Sequence, residues 1–195
     1  MRLISGSAGG IPLEVPKNVT RPTQDRVKQA IFNMLGDLVP EARVLDVFAG
    51  SGALGLECLS RGAASALLVE QDRAACDVIR KNLAKTRLAG AAVRQGDVFK
   101  VLPQLAAAQG QGAEGSGGQF DLVFADPPYA HKPGEEDLAL KLLHLPELAA
   151  LVAEGGSVVL ECLTTRGQTP ADWGPWELVR DREYGSTRIL WLRKR

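Results

Sequence analysis

Two stretches of this chain combine residue types that could do chemistry. In DVFAGSGALGLE, Gly50, Gly52 and Gly55 stand at G-x-G-x-x-G spacing directly after an apolar run, with Asp46 just ahead of them. In FDLVFADPPY, Asp126 is followed by Pro127, Pro128 and Tyr129. Between the two, Glu70 closes the run SALLVE and Asp97 follows AAVRQG. A glycine triplet of this kind permits a tight turn and lets the backbone of Gly50 to Gly52 come close to a ligand. Alone it would suit a dinucleotide, with Glu70 on the ribose hydroxyls.

Asp46 argues for a different ligand. A carboxylate ahead of the loop repels a pyrophosphate but can bind an ammonium group, directly or through water. S-adenosylmethionine carries that ammonium together with a ribose and an adenine, and no phosphate. Glu70 would then take the ribose diol, and Asp97 is placed for the adenine amino group. Asp97 is equally placed to cap the helix that follows it, and one residue can do both. The loop has no Lys-Ser/Thr ending, which excludes a Walker P-loop.

The elements that must position these residues follow from alternating apolar runs and helical patterns, the mark of a doubly wound α/β fold. Strands are expected at 43–49, 65–70, 91–95, 120–125 and 157–162. A final pair, 176–184 and 186–194, reads as an antiparallel edge hairpin around Gly185. Helices are expected over 52–61 and over 73–86, the latter with Val78, Ile79 and Leu83 facing inward. Another should follow Asp97, with Pro103 as a kink or fresh start, and another should run over 135–152, broken at Pro146 and stopped by Gly155 and Gly156. Upstream, Thr23 is a candidate N-cap for a helix through Leu35, with Val27, Ile31, Met34 and Leu35 at helical spacing. QGQGAEGSGGQ (109–119) reads as a Gly-rich surface insertion.

Composition narrows the classes. The 195 residues suit one generous domain, and a 45% hydrophobic content can fill its core. The start MRLISGSAGG lacks the pattern of a secretory leader, and no apolar run approaches the roughly 20 residues that span a bilayer, so a cytoplasmic, membrane-free protein is expected. Cys58, Cys76 and Cys162 stand too far apart for a zinc site or disulfide framework and read as small buried hydrophobes, and no metal is expected. Of the two histidines, His131 follows the proline motif and reads as a solvated loop residue, and His144 has no partners at ligand spacing.

The formal charge is zero, yet residues 1–30 carry five basic side chains against two acidic ones, and residues 180–195 carry six against two. These ends could meet phosphates or form ordinary solvated surface.

Proline cannot donate to a sheet ladder, so DPPY ends the fourth strand abruptly, at the edge where doubly wound sheets bind ligands. Glycine loop, second-strand acid and D-P-P-Y, in that order, resemble class I S-adenosylmethionine-dependent methyltransferases that modify an exocyclic amino nitrogen of a nucleobase. The likeness extends over MRLISGSAGG, TRPTQDRVKQAIFNML (20–35), LDVFAGSGALGLECLSRGA (45–63), VEQD (69–72) and YGSTRILWL (184–192). These stretches resemble the bacterial 16S ribosomal RNA guanine-N2 methyltransferase family.

The resemblance implies a Rossmann-like fold with a mostly parallel seven-stranded sheet, a C-terminal antiparallel edge hairpin and a small N-terminal extension. It divides the chain into an extension of hairpin and helix, 1–39, and a methyltransferase domain, 40–195. It implies S-adenosylmethionine as cofactor, held by Asp46, Phe48, Ala49, Gly50, Ser51, Gly52, Glu70, Gln71, Asp97 and Val98. Catalysis falls to Asp126, Pro127, Pro128 and Tyr129: the Asp126 carboxylate and the Pro127 carbonyl accept the two N–H bonds of the amine, and Tyr129 stacks on a flipped base. The partner implied is 16S rRNA in the small subunit or its precursor, with Arg21 and Arg26 on its phosphates.

Three rivals remain at this level. An amino-methyltransferase acting on adenine or cytosine of DNA usually brings a recognition region, for which the roughly 25 residues after Tyr129 are too few. A nicotinamide-dependent oxidoreductase leaves DPPY unexplained. A non-catalytic RNA-binding module would not need acids at 46, 70 and 97.

Overall fold

The computed structural model describes residues 1–16, 25–109, 119–128, 135–163 and 173–195. The chain divides into two compact units, Met1–Val98 and Phe99–Arg195. The seven-stranded sheet has the order β3 (Ala91–Gln95), β2 (Ser65–Glu70), β1 (Arg43–Val47), β4 (Phe120–Ala125), β5 (Val152–Leu163), β7 (Thr187–Lys194), β6 (Trp176–Tyr184). The doubly wound expectation is met, including the antiparallel hairpin at one edge.

In the first unit, β1 (Arg43–Val47), β2 (Ser65–Glu70) and β3 (Ala91–Gln95) pair in parallel. Buried on both faces, β1 reads as the near-continuous apolar run such strands require. Helices α2 (Ala53–Ser60) and α3 (Arg73–Thr86) make the crossovers and pack on these strands. Every residue of α2 is buried. The second face of α2 is covered by an N-terminal strap, whose ends bridge at Arg2 and Pro12. Leu3, Ala8 and Leu13 of the strap form a cluster with Ala53 and Leu56 of α2, and Leu83 and Leu88 pack against it.

Polar anchors fix the strap in register. Ser60 takes a bond from Ala8 N (3.0 Å) on its hydroxyl, donates that hydroxyl to the Ser5 carbonyl (2.6 Å), and accepts from Ser7 N at its own carbonyl (2.7 Å). Gly6 passes so close that a Cβ there would sit 1.7 Å from the Ser60 carbonyl oxygen. Glu57, fully buried, accepts from Ile4 N (2.7 Å), Ser5 N (3.0 Å) and the Arg61 guanidinium (2.8 Å), and lies 3.3 Å from the Lys28 ammonium.

Lys28 belongs to α1 (Asp25–Leu35), whose Val27, Ile31, Phe32 and Leu35 are buried as the helical spacing predicts. Lys28 itself has no exposure and also donates to the Arg2 carbonyl, so this charge expected at the surface is internal. Burial pulls its ammonium below the ordinary lysine range, and Glu57 pushes it back up. Thr23, the candidate cap, lies outside the described residues, as do Lys17 and Arg21.

Helix α3 spans the expected 73–86 with Asp72 as its cap, bonded to Ala75 N at 2.9 Å. Its buried stripe differs from the expectation. Ile79 is buried, but Val78 and Leu83 are half-buried, and Asn82 and Thr86 lie inside. The strap covers that side of α3 and rotates the buried face toward polar residues.

After α4 (Val98–Gln109), which carries Pro103 within one continuous helix, the second unit runs from β4 (Phe120–Ala125) through α5 (Leu138–Leu143) and α6 (Pro146–Leu151) to β5 (Val152–Leu163). β5 pairs in parallel with β4 and antiparallel with β7 (Thr187–Lys194), which pairs with β6 (Trp176–Tyr184). The helical stretch breaks at Pro146 as expected. It stops at Leu151 rather than at the glycine pair, and Gly155 and Gly156 instead lie inside β5, where the register with β4 shifts. A Cβ on Gly156 would come within 2.8 Å of Ala153 O, so the irregularity needs glycine. Trp176 and Trp191 are buried, with indole N–H groups donated to Leu143 O (2.9 Å) and Ser157 Oγ (3.0 Å). Most of the 109–119 insertion lies outside the described residues. No helix among the described residues is long and apolar enough to cross a membrane.

Removing one member of a buried ion pair strands the others, at a cost of about 3–5 kcal/mol. Glu57→Ala should therefore lower unfolding free energy by about that amount in urea titration; a loss below about 1 kcal/mol would contradict this account of the strap.

Candidate active site

Three consecutive carboxyl ends, those of β1, β2 and β3, carry the expected cofactor residues. The chain leaves β1 through alternating left-handed residues: Phe48 (φ 62°), Gly50 (φ 55°) and Gly52 (φ 77°). For phenylalanine this conformation costs of order 1–2 kcal/mol, so the surroundings must enforce it. They do so through backbone bonds. Ala49 N extends the β1–β2 ladder to Val69 O (3.0 Å), and Gly52 N returns to Ala49 O (2.7 Å).

The two loop glycines are required for different reasons. A Cβ on Gly52 would press on Leu68 at 3.0 Å and Ile79 at 3.3 Å, so packing excludes it. At Gly50 a Cβ would meet nothing nearer than Phe48 O at 4.0 Å. That open side is where a ligand can approach the backbone.

Glu70 organises the loop. Its Oε2 accepts from Gly50 N (2.8 Å) and its Oε1 from Asp72 N (2.8 Å). An ionised carboxylate has about four acceptor positions, so each oxygen keeps one for a ribose hydroxyl. Glu70 thus supports the backbone of Gly50, a structural task that its place at the end of β2 does not reveal.

Asp46 is buried, and its Oδ2 accepts from Gly55 N at 2.9 Å. Gly55 lies in the first turn of α2, where the backbone N–H groups lack helical partners. Its N-cap, Gly52, has no side chain to supply one. Asp46 thus serves as a cap reaching in from the strand. Desolvation pushes its carboxyl up to about 7, with the nearby Glu70 charge adding to the rise and the Gly55 bond opposing it.

The remaining candidates of this unit complete the edge. Ala49 and Ser51 are buried in the loop, Gln71 is exposed beyond β2, and Asp97 is exposed and Val98 buried where β3 passes into α4. The donor set is acidic and rich in acceptors, with the Gly50 backbone open beside it. It fits a cation bearing hydroxyls and an exocyclic amine, the chemistry of S-adenosylmethionine, better than a pyrophosphate.

In the second unit, β4 ends at Ala125. Asp126 is half-buried, Pro127 buried and Pro128 exposed, all three outside regular structure. The strand therefore stops at the motif, as predicted. Tyr129 and His131 lie outside the described residues.

The structure divides the basic residues of the two ends. Arg188 is buried in a bidentate pair with Asp181 (2.9 and 2.6 Å), and Lys194 is held by Val152 O and Glu154. Arg2, Arg26, Arg180, Arg182, Arg193 and Arg195 stay exposed. Cys58 and Cys76 are buried and Cys162 half-buried, and burial raises all three thiols, Cys162 to about 11. They are packing groups, not nucleophiles.

The Asp46 shift has a defined sign. Its folded pKa lies above the unfolded value near 3.8, so it favours the folded state fully below that value and loses this contribution as pH rises toward 7. Asp46→Asn keeps an acceptor for Gly55 N and removes the titration. Denaturant midpoints measured from pH 4 to 8 should decline less steeply with pH in this variant than in the wild type; parallel curves would contradict the assignment.

The protein family described as conserved hypothetical protein 95 matches residues 1–193. The ribosomal RNA small subunit methyltransferase D of Escherichia coli K12 is 36% identical over 176 residues, covering 89% of this chain and 81% of that protein. Bacillus subtilis YlbH is 36% identical over 197 residues, covering all of both chains. A solved hypothetical protein from Thermus thermophilus superposes with a TM-score of 0.77 at 35% identity, covering 98% of each chain. The chain belongs to the conserved hypothetical protein 95 family, the family of the ribosomal RNA small subunit methyltransferase D proteins.

Proposed function

We propose that this protein transfers a methyl group from S-adenosylmethionine to the exocyclic N2 amino group of a guanine in bacterial 16S rRNA, within the small subunit or an assembly intermediate. The observation that carries the reading is the acid-lined loop, in which Glu70 holds Gly50 while keeping acceptor positions for a diol. Kinship with the small subunit methyltransferase D proteins supports the RNA substrate.

The loop, Glu70, Gln71, Asp97 and Val98 would hold the cofactor, which supplies an electrophilic sulfonium methyl. The amine is a poor nucleophile because its lone pair is delocalised into the ring. Asp126 and the Pro127 carbonyl accept its two N–H bonds, favouring a pyramidal nitrogen with the lone pair aimed along the transfer axis. Pro127 and Pro128 suit this task because fixed φ angles and missing donors keep a carbonyl available. Tyr129, next in sequence, stacks on the extruded base. Transfer would break the S–CH3 bond as the N–CH3 bond forms, leaving the positive charge on nitrogen; an N–H proton could then pass to water, so no strong general base is needed. Residues 1–39 guide the RNA, with Arg21 and the exposed Arg26 on phosphates, and 40–195 carry out the transfer.

Calorimetry should show saturable binding of S-adenosylhomocysteine and none of NADH; the reverse would overturn the reading. Asp126→Ala should bind S-adenosylhomocysteine normally but lose at least about 100-fold in turnover, the scale of one oriented hydrogen-bond partner. Near-normal turnover would remove Asp126 from the mechanism.

A further inference from the structure

Asn82, on α3, has no exposure, and three hydrogen bonds use its side chain. Nδ2 donates to the Ser51 carbonyl (3.0 Å) and to the Glu14 carbonyl (3.0 Å), while Oδ1 accepts from Glu14 N (2.8 Å). One amide thus joins the glycine loop, the third helix and the N-terminal strap.

The Ser51 bond controls the loop directly. A carbonyl and the following N–H point in opposite directions across a planar peptide. With Ser51 O held by Asn82 and Gly52 N held by Ala49 O at 2.7 Å, the peptide plane between Ser51 and Gly52 is pinned at both ends. That plane lies between the left-handed Gly50 and Gly52, where backbone freedom is greatest. A second tie runs the same way, with Ser51 Oγ donating to Met1 Sδ at 3.3 Å.

We propose that Asn82 is a positioning residue for the cofactor loop, and that through it cofactor binding and docking of the N-terminal strap are thermodynamically linked. The linkage rests on the reading of the loop as the S-adenosylmethionine site. A ligand that needs the ordered loop binds more weakly when the strap is released, and by reciprocity its binding strengthens the hold on the strap. The strap leads into the segment assigned to RNA, so the same amide would make cofactor-loaded protein the form whose RNA-guiding region is best anchored.

The test uses the full-length protein with Asn82→Ala, the near-isosteric Asn82→Asp, and Thr86→Ala as a control. Thr86 is buried one turn along α3 and donates to the Asn82 and Leu83 carbonyls at 2.8 and 3.3 Å, so its replacement alters packing beside Asn82 while leaving the side-chain bonds of Asn82 in place. Asn82→Asp cannot donate to Ser51 O and carries the proposal if Asn82→Ala does not fold. Calorimetry with S-adenosylhomocysteine should show binding at least about 10-fold weaker in the Asn82 variants, within the usual range of coupling, and unchanged in Thr86→Ala. In the wild type, S-adenosylhomocysteine should slow hydrogen exchange of the Glu14 amide; in Asn82→Asp it should not. The KM for S-adenosylmethionine should rise while kcat at saturation holds within about 3-fold. Equal affinity in wild type and Asn82 variants, or a Glu14 amide indifferent to ligand, would overturn the linkage alone. A wild type that does not bind S-adenosylhomocysteine would overturn the functional reading, and the linkage with it.

Discussion

A carboxylate without solvent must collect donors, and Glu57 is where this chain meets that demand. Its donors come from three separate segments: Ile4 and Ser5 of the strap, Lys28 of α1, and Arg61 at the end of its own helix. Loss of any of these segments takes a donor away from a buried carboxylate. The strap and α1 are therefore fastened to the α2 face of the first unit by electrostatics as well as by the Leu3, Leu13 and Leu56 cluster. The remaining order follows from this. A strap held at residues 4–8 delivers Glu14 to Asn82, and Asn82 in turn holds the glycine loop.

The same device, a carboxylate satisfying backbone N–H groups, recurs through the cofactor region. Asp46 serves Gly55, Glu70 serves Gly50 and Asp72, and Asp72 serves Ala75. Each carboxylate lies at or next to the end of a strand or begins a helix, close to where unpaired donors collect. The by-product is a strand edge rich in negative charge and acceptors beside an open stretch of backbone. Such an edge discriminates against phosphates and favours a sulfonium bearing an ammonium and a diol. In the proposed function, support of the loop and choice of ligand fall to the same side chains.

Strand positions and the abrupt end of β4 were legible because period, β-branched content and proline act locally. The seven strands fall where the apolar runs are, with β1 shorter by two residues and β5 beginning five residues early. The β5 difference arises because Gly155 and Gly156 allow an irregular strand, a role that depends on the register with β4 and not on the glycines themselves. The acids at 46 and 70 stand out in the sequence as candidates for a ligand, but not as supports for Gly55 and Gly50, since those bonds depend on tertiary approach. Lys28 and Glu57 were hidden for the same reason: a charged residue normally signals surface. One signal was available for Asn82, which falls on the stripe of Ala75, Ile79 and Thr86 and so had to be buried.

The function proposed for this chain, methyl transfer to the RNA of the small subunit, makes a central claim about one atom of one base. It is tested most directly by digesting 16S rRNA from the parent organism and from a strain lacking this protein, and comparing modified nucleosides by mass spectrometry. The account predicts that one N2-methylguanosine is lost in the mutant and returns when the wild-type protein, but not Asp126→Ala, is supplied. An unchanged N2-methylguanosine content, with or without loss of a different methylated base, would contradict it.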